Sequence, residues 1–166
     1  MKNTVFFITM VMLCLFPTFS CKEEIYSTIP SAPVYVKLDL NFGDKELKSN
    51  ITAYKIITKP RFDAEVGKLG FGGILVVNGG NADVNVDQLY AYDLACPVEV
   101  NRTIQVVPNN LSPNSSVSTA ITATCPKCGA RFNILSGNGY PEVGTKLFLR
   151  TYIVSSNGNN EYTVVN

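Results

Sequence analysis

The stretch Thr122–Gly137, TATCPKCGARFNILSG, decides how this chain is read. Cys125 and Cys128 stand at a chelating C-x-x-C spacing, and Gly129 follows directly. Ala130–Leu135 then reads as a strand and Ser136–Gly139 as a turn. A thioredoxin-type redox pair sits where a strand enters a helix, whose N-terminus lowers the thiol pKa. Here a strand follows, so that reading is disfavoured. Half of a metal site, a disulfide, or the remnant of one of these remain for the two cysteines.

The same short, β-like runs continue on both sides of the stretch. Val34–Phe42, Thr52–Thr58, Gly73–Asn78, Gln88–Leu94, Thr103–Val107, Lys146–Val154 and Glu161–Val165 read as strands. Turn-formers separate them at Asn78–Gly80, Pro108–Asn110 and Asn157–Asn160, and the Asn/Ser/Pro-rich run 108–120 reads as an exposed loop. No run carries a capped apolar stripe of helical period. The expected class is all-β, a small antiparallel sandwich or barrel, with a single domain over 34–166.

Composition excludes several chemistries. The chain has no histidine, which removes Ser-His and Cys-His nucleophile pairs, histidine-ligated zinc and the usual neutral-pH base. Lys68–Gly73, KLGFGG, lacks the ending of a phosphate loop and reads as a turn. Asp93 and Glu99 flank Cys96, but nothing else supports an acid–base pair, and they read as solvated loop carboxylates. Tyr90 and Tyr92 place two rings on one strand face, suited to a core or a sheet surface rather than to a sugar platform.

Residues 1–20 combine Lys2, an apolar run and the small residue Ser20 before Cys21, the pattern of a secretory signal peptide. The segment is similar to a bacterial lipoprotein signal, which implies lipidation of Cys21 and a tether over 21–33. The resemblance places the protein in the bacterial cell envelope, lipid-anchored to the outer membrane. Cys21-Lys-Glu-Glu is similar to tags that carry such lipoproteins to the cell surface. Removing 1–20 leaves 13 basic and 13 acidic residues. A neutral chain without a basic stripe gives no reason to expect nucleic acid as a partner.

With the strands placed, Gly72–Val165 resembles the Rieske iron–sulfur domain. GGILVVN and QLYAYDLACP look like the strands leading into the first ligand loop, and TCPKCGARFNILSGNG like the second loop with its strand and Gly turn. KLFLRTYIVSSNGNNEYTVV looks like the closing hairpin. The family holds a [2Fe–2S] cluster with C-x-H and C-x-x-H. Cys96 and Cys125 fall on its cysteine positions, Cys128 on its second histidine, and Val98, without a donor atom, on its first. Three ligands out of four make a standard Rieske centre unexpected. Gly144-Thr145 stands where the family's covering loop carries Gly-Pro.

The resemblance also implies that the two loops lie close together. A structural disulfide of Cys96 with Cys125 or Cys128, leaving one spare thiol, is therefore the first expectation. An atypical [2Fe–2S] cluster on Cys96, Cys125 and Cys128 is the alternative, followed by zinc on the three cysteines with Glu99. The functional expectation is a non-enzymatic structural or binding module without a cofactor, with an unidentified protein or glycan partner. Electron transfer through the atypical cluster is the alternative.

Overall fold

The computed structural model describes residues 27–48, 50–80, 87–111 and 116–166. Cys21 and the signal segment lie outside them. The fold is all-β, and every strand pairing is antiparallel. The ten strands are β1 (Tyr35–Asp39), β2 (Tyr54–Ile57), β3 (Ile74–Asn78), β4 (Leu89–Asp93), β5 (Val107–Asn110), β6 (Ala120–Thr124), β7 (Arg131–Asn133), β8 (Pro141–Val143), β9 (Thr151–Gly158) and β10 (Glu161–Val165). One sheet has the order β1-β10-β9-β4-β3-β2 and the other β5-β6-β7-β8. Two single-turn 3₁₀ helices, Lys45–Leu47 and Asp63–Glu65, complete the described secondary structure.

Alternation along β3 explains how one sheet serves two cores. Ile74 and Val76 face a cluster with Val36, Leu38, Leu47 and Val164. Leu75 and Val77 face the opposite cluster with Tyr92, Phe132, Ile134 and Leu149. Successive side chains of a strand point to opposite faces, so the apolar run ILVVN is buried on both sides. The second cluster also contains Cys96 and Cys125. The apolar space bounded by elements of both sheets therefore ends at the cysteines.

Several expected boundaries move. The strand expected at Thr103–Val107 begins at Val107 and runs through Pro108 to Asn110, residues read as a turn. Pro108 is tolerated because β5 is an edge strand, where a missing N–H breaks no ladder. β6 and β8 arise in segments not read as strands. β9 starts at Thr151 rather than Lys146 and runs on to Gly158. Asn159 and Asn160, with φ of 53° and 61°, then make the tight turn into β10.

The tether assigned to 21–33 is packed from Ser27 onward. Ile29 is buried, and Arg150 Nη1 donates to its carbonyl at 3.1 Å. Thr28 Oγ1 donates to the carbonyl of Pro97. A Pro/Ser-rich segment joins the fold here because Ile29 supplies an apolar anchor and a buried-edge arginine holds the backbone.

Candidate metal centre

Cys96 follows β4 of the larger sheet, and Cys125 and Cys128 lie between β6 and β7 of the smaller one. Chain segments after β4 and β6 are thus brought to one place. Leu94 accepts from Val106 N at 2.8 Å, and Cys96 N donates to Ile104 O at 3.0 Å, fixing the first loop. Cys125 N donates to Ala130 O at 2.8 Å, fixing the second. The three sulfurs lie within 4.8 Å of one another. Cys96 and Cys125 are buried and Cys128 is exposed.

The expected disulfide is not formed. All three cysteines are free, and Cys96 Sγ stands 3.6 Å from Cys128 Sγ, in contact but unbonded. Three sulfurs share the space, so none is set aside as a spare thiol. Burial pushes the Cys96 thiol up to about 12, against backbone N–H groups of Glu99 and Val98 that favour the thiolate. Burial also pushes the Cys125 thiol up, but N–H groups of Cys128 and Lys127 outweigh it and its net direction is down.

The two carboxylates near Cys96 are not solvated loop groups. Asp93 is fully buried and its oxygens accept from Phe71 N (2.7 Å), Gly72 N (2.9 Å), Ala95 N (2.8 Å) and the Tyr152 hydroxyl (2.6 Å). The glycine-rich turn at 68–73 therefore cradles an anion, and that anion belongs to the protein. A Cβ on Gly70 would lie 2.5 Å from Tyr152 Oη, and one on Gly72 would lie 2.6 Å from Ala95 N. Glu99 reaches the other cysteine loop, where its Oε2 accepts from Lys127 Nζ at 2.5 Å. That pairing raises the Lys127 pKa. No acid–base pair results, because each carboxylate is engaged separately.

Val98 is 39% exposed and offers no donor. Tyr92 is buried and its hydroxyl donates to Ile134 O at 3.0 Å. Tyr90 packs over Gly79 and Gly137. Both rings serve the core, as their period-two spacing suggests. Tyr140-Pro141 enters β8, with Tyr140 edge-on to Phe148. Gly144 lies against Ala130, directly after the second cysteine loop.

A strand pair leads into one cysteine loop, a second cysteine loop is followed by a strand and a Gly turn, and an antiparallel hairpin, β9–β10, closes the chain. This is the order of strands and cysteine loops that the sequence resemblance leads one to expect. No protein-family model matches the chain, and no curated protein matches it. Among solved structures, the chain is similar to one from a complex of reduced oxygenase and oxidized ferredoxin in carbazole 1,9a-dioxygenase. The identity is 17%, the TM-score 0.46, and the match covers 80% of this chain and 93% of that one.

The residues of this centre do not fit the cluster of the family that the sequence resembles. Two histidines are required and the chain has none. Cys128, at a histidine position, would have to serve the second iron, and thiolates on different irons are held apart by the sulfide bridge. Its sulfur instead contacts that of Cys96, assigned to the first iron.

Proposed function

We propose that this is an envelope protein, lipid-anchored to the outer membrane through Cys21, whose Rieske-like domain has lost the standard cluster. It works as a non-enzymatic structural and binding module. The convergence of three free thiols without any histidine carries this reading. The thiols meet where the loops that follow β4 and β6 converge. Nearby carboxylates are committed to backbone donors or to Lys127, which leaves no group to serve as general base.

A partner surface is available away from the cysteines. Tyr35, Phe42, Arg61, Phe62 and Tyr162 line a groove of about 640 Å³. Phe42 is 79% exposed and Phe62 60%, and Arg61 stacks over Phe62 at 5.8 Å. Exposed rings beside charged groups suit a protein or glycan surface. The groove is the contact site for that partner.

Expressing the full chain in iron-replete cells tests the reading. Cys21→Ala should abolish lipid incorporation and release the protein from the membrane fraction. The wild-type protein should carry no acid-labile sulfide and no iron–sulfur absorption bands. Two irons and two sulfides per chain would instead establish an atypical [2Fe–2S] cluster and favour the electron-transfer alternative. Retention of Cys21→Ala in the membrane would sink the anchor.

A further inference from the structure

The two cysteine loops are one turn built twice. In Cys96-Pro97-Val98-Glu99-Val100, the N–H of the fifth residue donates to the carbonyl of the first at 2.9 Å. In Cys125-Pro126-Lys127-Cys128-Gly129 the same bond measures 3.0 Å. In each loop the first sulfur meets the backbone N–H groups of the third and fourth residues. In each the fifth residue is left-handed, Val100 at φ 48° and Gly129 at φ 73°. Proline is second in both. Superposing the turns in this way makes Val98 equivalent to Lys127, and Glu99 equivalent to Cys128.

Cys128 is the residue through which the second turn adds its extra sulfur. The first turn carries a carboxylate at that place. We propose that Cys96, Glu99, Cys125 and Cys128 form a tetrahedral site for a single thiophilic divalent ion of the zinc class, with Glu99 as the fourth donor. The inference rests on the structural-module reading and names what joins the loops.

Distances favour one ion. A metal about 2.3 Å from each of two thiolates in tetrahedral geometry sets them about 3.8 Å apart. Cys96 and Cys128 sulfurs are 3.6 Å apart, and Cys125 completes a trio within 4.8 Å. Glu99 is only 15% exposed although it lies in a turn, and its carboxylate already spans the two loops to Lys127. Lys127 is 62% exposed, so the ion pair that Glu99 must leave is a weak surface one. Three sulfur donors select a soft ion over magnesium or calcium, and an oxygen donor in a four-coordinate set favours zinc over copper(I). On binding, three S–H protons pass to solvent, three metal–sulfur bonds and one metal–oxygen bond form, and no electrons move.

The full chain, purified reduced and without oxygen in detergent, is titrated with Co²⁺ alone and with Zn²⁺ alone. One ion per chain is expected, with cobalt absorption showing three thiolate bonds and loss of all three thiols to a thiol reagent. Glu99→Gln should weaken Zn²⁺ binding more than about tenfold while keeping the three-thiolate absorption. Lys127→Ala should tighten it, because it removes the competing partner of Glu99. A purely structural ion pair would make both changes act alike, and equal effects would overturn the role of Glu99. Cys128→Ser should cut the thiolate absorption by one third, and Val98→Ala should leave affinity unchanged. Three reactive thiols and no bound ion would overturn the site while leaving the module reading intact. Two irons with two sulfides would overturn both.

Discussion

Val100 is a β-branched residue at a φ of 48°, and its partner in the second turn is a glycine. Left-handed backbone costs an L-residue roughly 1–2 kcal/mol, and glycine's extra unfolded freedom costs about 0.5–1 kcal/mol. Val100→Gly should therefore raise stability by up to about 1 kcal/mol. Gly129→Val should lower it by up to about 1 kcal/mol by the same balance, since a Cβ there meets no atom within 4 Å. Urea midpoints of the two variants check the pair. Legibility at this scale was uneven. Cys125 and Cys128 stand out by spacing and Cys96 by the family resemblance, and the structure brings the three together. The role proposed for Glu99 ranks only as a last alternative in the sequence, because the first loop is aligned there to the C-x-H of a family. Compared with the chain's own second loop, the repeated Cys-Pro pentad would have pointed to it. Asp93 was misread for another reason, since nothing in its neighbours' identities announces four donors arriving from three segments.

Elements with strong alternation were legible. β3, β4 and β10 fall within a residue of the runs that suggested them, because apolar residues there face a core at every second or every position. β5, β6 and β8 were not. Their sequences, VPNN, AITAT and PEV, are short and carry turn-formers or small residues, and tertiary pairing alone makes them strands. β7 supports this smaller sheet through Phe132, which is fully buried between the sheets. Phe132→Ala should cost about 3–5 kcal/mol in a denaturant titration. It should also loosen the second cysteine loop, seen as faster thiol labelling of Cys125 than in the wild-type protein.

Across the whole molecule, two buried hydroxyls link stability to alkaline pH. Burial first, then the Asp93 carboxylate, pushes the Tyr152 pKa well above the ordinary range. Burial also raises that of Tyr92. Their folded pKa values exceed the unfolded value near 10, so the folded state binds more protons above that pH. Stability is therefore full below about pH 10 and falls as pH rises beyond it, by up to about 1.4 kcal/mol per pH unit for each group. Denaturant midpoints between neutral and alkaline pH check this, and Tyr152→Phe should make the fall shallower.

Thr28 hangs on the carbonyl of Pro97, inside the first cysteine turn. With Cys21 as the anchor proposed above, seven residues separate the lipid from that contact, a reach of at most about 25 Å. The cysteine end of the domain is then its lower pole, held within a fixed altitude of the bilayer. A metal donor or thiol reagent would have to work beneath the domain, in the layer next to the headgroups. With that anchor, height above the membrane limits the size of what can reach the thiols.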